Sequence, residues 1–174
     1  IALVNDLLNV TRIEEGRFGY EFIETDFLDF INKIFLENQD AFGVKRLSFE
    51  LFVPEKKLPK VRIDPERIKL ALQNILDNAK DYTSSGGKVT LGLEKKDKCL
   101  RVSVKDTGVG IPENQMSRLF GKFFRASNII KLQTEGNGLG LFITKNIIEK
   151  HSGKIWAESK LDQGSTFYFT IPVK

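Results

Sequence analysis

Cysteine and histidine are almost absent from this sequence. Cys99 and His151 are the only residues of their kinds in a chain of 174 residues. One of each excludes a disulfide framework and a metal site built from clustered cysteine and histidine, and it is compatible with a reducing cytoplasm. No apolar run is long enough to cross a bilayer. We therefore expect a cytoplasmic domain, whose parent protein can still be anchored in a membrane.

The sequence also lacks an excess of charge of one sign. Its 27 basic and 23 acidic residues are mixed along the chain and leave a net charge of +4. No basic stripe with interleaved aromatic residues is present, so we do not expect nucleic-acid binding. With 41% hydrophobic residues, the chain can form one compact domain and a short appendage. It opens at Ile1, without Met or a leader, which predicts a piece of a longer protein.

The first residues form the appendage. Apolar residues at helical spacing predict a helix over residues 1–17, whose apolar stripe is too short to be stable without a partner helix. The stripe consists of Leu3, Val4, Leu7 and Leu8. Gly16 and Gly19 then break the pattern. We therefore assign residues 18–174 to one compact domain.

The remaining pattern combines helices with strands that pair as hairpins. Helices are predicted over Phe27–Phe42, from Pro65 with Asp64 as its cap, and over Leu139–His151. Period-two alternation predicts strands at Tyr20–Ile23, Leu47–Val53, Lys88–Glu94, Leu100–Lys105, Lys154–Ser159 and Ser165–Pro172. This order indicates an α+β fold, a two-layer α/β sandwich with helices on one face of a mostly antiparallel mixed sheet.

The helix that begins at Pro65 carries a polar stripe beside its apolar one. Asn74, Asn78 and Asp81 lie on this stripe. Two amides one turn apart can offer oxygen atoms to Mg²⁺, which keeps several of its waters. A pair of solvated amides is the alternative interpretation. The side chains predicted to face water are Lys69, Gln73, Asp77 and Lys80.

A glycine-rich turn follows the strand Leu100–Lys105. Continued alternation puts Asp106 on the buried side of that strand, where a carboxylate needs a partner. It can accept a hydrogen bond from an exocyclic amine such as that of adenine, while Gly108 and Gly110 let the backbone approach a flat ring. A tight turn after a strand is the alternative interpretation.

A second glycine-rich segment, Gly136–Leu141, leads into the last predicted helix. Alternate glycines before a helix N-terminus present N–H groups to phosphate, but their spacing fits neither a P-loop nor a dinucleotide-binding turn. The segment Thr107–Gly136 lacks sustained periodicity, which is typical of a functional lid. Its basic residues can neutralise phosphates or simply be solvated. They include Arg118, Lys122, Arg125 and Lys131.

In this order and spacing, the motifs resemble those of the ATPase and kinase superfamily that holds histidine kinases, gyrase-type topoisomerases, mismatch-repair ATPases and large heat-shock chaperones. Asn74–Tyr82 is similar to its N box, and the segments DTGVGIP, FGKFF, GNGLGL and GSTF are similar to its other boxes. FGKFF and the residues from His151 to Trp156 resemble histidine kinases in particular. Leu7–Gly16 resembles the end of the dimerising helical hairpin that precedes the catalytic domain there.

The resemblance implies a Bergerat-type ATP-binding fold and a role for each matched residue. Asn74 and Asn78 would be catalytic, with Asn78 as the Mg²⁺ ligand, and Asp106 would bind the adenine amine. Glycines would form the hinge beneath the base (Gly108 and Gly110) and the phosphate cradle (Gly136, Gly138 and Gly140). Further nucleotide contacts are implied for Asp81, Tyr82, Ile111, Phe124, Arg125, Lys131, Leu139, Leu141 and Thr166.

The implied substrate is ATP with Mg²⁺, and the implied reaction transfers its γ-phosphoryl group to a histidine on a dimerisation hairpin outside this fragment, leaving ADP. A response regulator would be the next partner, and the parent would be a homodimer. A lysine or arginine usually stands at the position of Asp81 in the family. We expect Asp81 to lie on the phosphate side of its helix and Lys80 to point to solvent.

Two alternative functions stay open. Hydrolytic ATPases of the gyrase or chaperone kind carry a glutamate base where this chain has Asn74, and an amide cannot take a proton from water. A non-catalytic module would hold nucleotide, or nothing, and act through partners. Asp81 is the residue that favours this last alternative.

Overall fold

A computed structural model describes residues 2–54, 58–132 and 136–173 of the chain. The described residues form five α-helices: α1 (Ala2–Glu14), α2 (Phe27–Val44), α3 (Pro65–Tyr82), α4 (Ser127–Leu132) and α5 (Gly140–Lys150). The strands are β1 (Ile23–Thr25), β2 (Ser48–Phe52), β3 (Val61–Ile63), β4 (Lys88–Lys96), β5 (Cys99–Asp106), β6 (Ile155–Lys160) and β7 (Gly164–Pro172). Within these ranges, no helix is long and apolar enough to cross a membrane.

The sheet confirms the predicted α+β class. Five strands lie in the order β2-β4-β5-β7-β6, and only β2 and β4 run parallel. Alternate residues of β4 and β5 are buried, as expected for a sheet with one face packed against helices. Strands β1 and β3 pair separately as a small antiparallel sheet.

The differences from the predicted elements are confined to short segments. β1 begins at Ile23 rather than Tyr20, and β3 was not predicted, because three residues are too few to show alternation. The predicted lid contains a 3₁₀ helix, Glu113–Arg118, and the six-residue α4. Helices of two turns or fewer leave no readable periodicity, so only the tertiary structure reveals them.

Helix α3 is the central helix of the domain, and its predicted apolar stripe is buried. The stripe consists of Ile68, Leu72, Ile75, Leu76 and Ala79. Asp64 is its N-cap, as predicted: the carboxylate accepts the Arg67 N–H at 3.0 Å and, with its other oxygen, the Glu21 N–H at 2.8 Å. Asp64 therefore starts the helix and also holds the chain that enters the domain.

The single histidine joins the end of α5 to the start of α3. The backbone N–H of Asp64 donates to Nε2 of His151 at 2.9 Å, and Nδ1 of His151 lies 2.7 Å from the Ile147 carbonyl oxygen. Both ring nitrogens are thus occupied in a neutral imidazole. Burial lowers the pKa of His151 and so favours this neutral form.

The two N-cap aspartates provide a matched stability test. Asp64 is buried and accepts two backbone N–H groups, whereas Asp26, the N-cap of α2, is exposed and accepts one at 3.2 Å. We expect Asp64→Ala to lower the free energy of unfolding by about 2–3 kcal/mol and Asp26→Ala by about 1 kcal/mol. Urea denaturation measures both. Equal losses would show that the second bond and the burial of Asp64 contribute nothing.

Candidate functional site

One cavity, with a volume of about 260 Å³, brings most of the predicted site residues together. It lies between α3, the turn after β5, the lid and the start of α5. Predicted site residues in its lining are Asn74, Asn78, Tyr82, Asp106, Gly110, Ile111, Phe124, Arg125, Gly136, Gly138, Gly140 and Leu141. The lining also includes Asp6, Asp77, Ala79, Val109, Leu119, Ala126, Ile129, Asn137, Ser165 and Phe167. Most of its apolar members come from the turn after β5 and from the lid, and two of its amides, Asn74 and Asn78, lie on α3.

Asp106 ends β5 with its side chain turned inward, as the alternation predicted. It is 5% exposed, and its Oδ1 accepts the Gly108 N–H at 2.8 Å and the Ser165 N–H at 3.2 Å. Burial raises the pKa of this carboxyl, and the two backbone hydrogen bonds oppose that rise. Within the described residues both bonds end on Oδ1, so Oδ2 can accept a donor in the cavity.

The first glycine turn is too tight for side chains. A Cβ atom at Gly108 would lie 2.4 Å from the Tyr82 carbonyl oxygen, and one at Gly110 would lie 2.0 Å from that of Lys160. Gly110 also has a φ of +65°, which favours glycine. Gly108 donates its N–H to Asp106 within the turn but does not itself line the cavity. The side-chain amide of Asn128 donates to the Gly110 carbonyl at 2.9 Å and so ties α4 to this turn.

Helix α3 presents its amides to the cavity one turn apart. The Nδ2 of Asn74 donates to the Gly140 carbonyl at 3.0 Å and lies 3.3 Å from Oγ1 of Thr144, so its carbonyl oxygen is the atom left for a ligand. Asn78 lies one turn later, and Tyr82 follows at the end of the same stripe. Burial raises the pKa of Tyr82, which therefore keeps its proton at neutral pH.

Asp77 lines the cavity, although the sequence pattern predicts that it faces water. Its position is only about 60° around the helix from Asn74, so a cavity wider than the asparagine stripe includes it. Oδ1 of Asp77 accepts from Lys80 at 2.9 Å and from Gln73 at 3.2 Å. Gln73 in turn bonds in both directions with buried Asn38 of α2. The Lys80 ammonium is therefore paired with a carboxylate that lines the cavity, instead of pointing to open solvent as predicted.

The second glycine segment forms a turn whose backbone faces the cavity. Gly136 and Gly138 have φ values of +113° and +69°, and a Cβ at Gly138 would lie 2.7 Å from the Phe123 backbone. Helix α5 begins directly afterwards, and no side chain caps it at Leu139. Its first N–H groups have no intrahelical acceptor, so this end of the cavity is suited to an anion.

Besides Gly108, three predicted contacts fall outside the lining. Asp81 is exposed and does not line the cavity, whereas its neighbour Tyr82, also in the last turn of α3, does. The expectation that Asp81 faces the phosphates is therefore not met in this structure. Thr166 lies on the opposite face of β7, because side chains alternate along a strand and its neighbour Ser165 points inward. Leu139 is fully buried in the core. The side chain of Lys131 lies outside the described residues.

Several lining residues were missed by the sequence prediction, for different reasons. Ser165 shares its strand face with Phe167, so the alternation of β7 contained the signal. Asn137 stands inside the predicted glycine segment, where the pattern points to the glycines alone. Asp6 comes from α1 and accepts a hydrogen bond from Nδ2 of Asn137 at 2.6 Å. A contact across 131 positions leaves no local pattern.

Comparison with known proteins confirms the family that the fold and this cavity indicate. Residues 63–174 match the family described as histidine kinase-, DNA gyrase B-, and HSP90-like ATPase. The chain belongs to this family. The match covers α3, both glycine turns and the lid, which supply nearly all of the cavity lining.

Among individual proteins, the similar ones are sensor histidine kinases. The chain is 35% identical to the adaptive-response sensory kinase SasA of Synechococcus sp. (strain JA-3-3Ab) over 173 residues, which are 99% of this chain and 45% of that protein. It therefore spans less than half of that relative's length.

Two solved structures show the same similarity. Full-length ShkA in complex with AMPPNP matches with a TM-score of 0.84 and 27% identity, over 98% of this chain and 35% of that one. Histidine kinase ThkA in complex with the response regulator TrrA matches with a TM-score of 0.77 and 29% identity, over 99% of this chain and 48% of that one.

The buried carboxylate leads to a pH-dependent prediction. Asp106→Asn keeps an oxygen for the two backbone N–H groups but removes the charge. Because burial raises the pKa of Asp106 in the folded protein, wild type loses stability as the pH rises from the usual aspartate value toward the raised one, and the variant escapes this cost. The stability of the variant relative to wild type should therefore increase as the pH rises above about 4 and level off above the raised pKa. Urea denaturation across this range measures it, and a pH-independent difference would contradict the assignment.

Proposed function

We propose that this chain binds ATP with Mg²⁺ and transfers the γ-phosphoryl group to a histidine on a helical hairpin outside the chain. The observation that carries the proposal is the pairing of two unlike ends in one cavity. One end has a buried carboxylate beside a glycine turn, and the other has a glycine turn at an uncapped helix N-terminus. These ends suit an adenine base and a polyphosphate.

At the base end, Asp106 is the residue that selects adenine. Its free Oδ2 can accept the exocyclic amine, and the Gly110 turn lets the ring approach the backbone. Ile111 and Phe167 add apolar surface around the ring. A carbonyl group at the same position of another base would meet the carboxylate without a donor between them, which disfavours binding.

At the phosphate end, the donors fit Mg²⁺. Asn74 and Asn78 offer amide oxygens, and Asp77 offers a carboxylate. Mg²⁺ takes oxygen ligands, keeps several waters and is held by one or two protein groups together with substrate phosphates. In the described part of the chain, no cluster of three or more His, Cys, Asp or Glu side chains forms a protein cage. We assign Asn78 as the ligand, and the bound ion would neutralise charge on the phosphates.

The polar groups near the phosphates favour transfer over hydrolysis. Asn74 stands where hydrolytic relatives carry a glutamate, and its amide already donates to Gly140. An amide cannot accept a proton from an attacking water. Phosphoryl transfer relies on positioning and charge neutralisation, which Arg125 and the N-terminus of α5 can provide beside the cavity.

The similarity to sensor histidine kinases supports a proposal for the wider context. We infer that residues 1–17 are the end of a dimerisation and phosphoacceptor helix and that residues 18–174 are the catalytic domain. The half-exposed apolar side chains of α1 support this, because they suit a partner helix: Leu3, Val4, Leu7 and Leu8. The parent would be a homodimer, its next partner a response regulator, and this chain would act in the cytoplasm.

The base end can be tested with one substitution and a matched control. Asp106→Asn should weaken ATP binding by about 1.5–3 kcal/mol, the range for a hydrogen bond to a charged group. Asp97→Asn, in the exposed turn between β4 and β5, should leave binding unchanged. Isothermal titration calorimetry measures both. Equal affinity of Asp106→Asn and wild type would remove Asp106 from the site.

The chain alone should not phosphorylate itself, although it contains a histidine. His151 lies at the far end of α5, about 16 Å from the helix start, and in-line transfer needs reacting atoms about 3–3.5 Å apart. Both of its ring nitrogens are also hydrogen-bonded in the protein interior. Incubation with labelled ATP tests this, with His151→Gln as the control. Acid-labile label on the wild type that is absent from the variant would contradict it.

A further inference from the structure

A bridge of two hydrogen bonds connects helix α1 to the phosphate-binding turn. Nδ2 of Asn137 donates to Oδ2 of Asp6 at 2.6 Å, and Oδ1 of the same amide accepts the backbone N–H of Leu139 at 2.9 Å. Leu139 is the residue from which α5 begins. A single side-chain amide thus links the appendage to the start of the helix that faces the anion end of the cavity.

Among the described residues, two of the turn's own positions carry no side chain that could hold it in place. Asn137 is flanked by Gly136 and Gly138, both with positive φ, so neither neighbour has a side chain that could fix the turn. Gly138 packs against the backbone of Phe123 and Phe124 without room for a Cβ atom. Asn137 is therefore the residue between the two glycines whose side chain can restrain the turn, and Asp6 is the acceptor to which its amide donates.

Helix α1 has its own anchors and a free face. Val10 is buried, and Glu14 forms an ion pair with Lys122 of the lid. The first turn of the helix presents an apolar face with Leu3 and Val4, which are at least half exposed. A change in what covers that face can move α1 relative to α5, and such a movement would alter the Asp6–Asn137 bond directly.

We propose that Asp6 is a positioning residue: through Asn137 it holds the phosphate-binding turn, so that the placement of α1 sets the affinity for nucleotide. The proposal rests on the nucleotide-binding function proposed above. Asp6 also lines the cavity with a negative charge, which by itself opposes a polyphosphate. Its positioning effect and its charge effect on affinity therefore have opposite signs and can be separated by substitution.

Two substitutions at Asp6 separate these effects. Asp6→Ala removes the acceptor together with the charge, so it should bind ATP about fivefold more weakly than Asp6→Asn, which corresponds to one net hydrogen bond. Asp6→Asn keeps an acceptor oxygen for Asn137 and removes the charge, so it should bind at least as tightly as wild type. Asn5→Ala, exposed on the same helix, is the control and should have no effect. Isothermal titration calorimetry with ATP and Mg²⁺ measures all three.

A second readout needs no nucleotide. In the nucleotide-free protein, Asp6→Ala should speed hydrogen exchange of the Leu139 amide, because its acceptor Asn137 loses its anchor, while Asp6→Asn and Asn5→Ala should leave it slow. In the background of Asn137→Ala, Asp6→Ala should have no further effect on exchange, and only the charge effect on affinity should remain. The proposal is overturned if Asp6→Ala matches wild type in exchange, or if Asp6→Asn is as fast as Asp6→Ala. If wild type binds no ATP, the proposed function fails while the exchange result still tests the role of Asp6.

Discussion

A buried carboxylate that must be compensated is the constraint on which this site depends. Asp106 is almost completely removed from water, and its Oδ1 is stabilised by the N–H groups of Gly108 and Ser165. Those two bonds fix the first glycine turn and the start of β7 at the end of β5. Because a charge with unused hydrogen-bonding capacity is costly in the interior, the same arrangement favours a ligand that supplies a donor to Oδ2. We infer that structural compensation and base recognition use the two oxygens of one side chain.

The parts of the fold that the sequence predicted are those with local physical causes. Asp64 caps α3 through the N–H three residues later, and the burial of Asp106 follows from strand alternation. The contributions of Asp6 and Asp77 could not be found in this way. Asp6 reaches the cavity from a distant helix, and Asp77 is held there by a network that begins at Asn38 on α2. Such placements depend on how helices pack, which no window of residues records.

The end of α3 carries Asp81 at a position where the family usually has a lysine or arginine, and this changes which charges lie near the cavity. The position occupied by Asp81 is exposed, so a negative charge there does not enter the cavity. Lys80 is instead paired with Asp77, which does line it. The phosphate end thus combines a partly neutralised carboxylate, two amides and the N-terminus of α5. We infer that this set can accept a polyphosphate whose remaining charge is balanced by Mg²⁺. Asp81 therefore does not by itself argue for a module that binds no nucleotide.

The central claim is that this chain transfers phosphate to a histidine on a separate helical hairpin. The direct measurement supplies purified dimerisation hairpins of sensor kinases, with and without their histidine, together with labelled ATP and Mg²⁺. The account predicts acid-labile label on a histidine-containing hairpin, none on its histidine-free counterpart, and strongly reduced label with Asp106→Asn. Release of phosphate to water with every hairpin unlabelled, while ATP binds normally, would contradict it and indicate a hydrolytic ATPase.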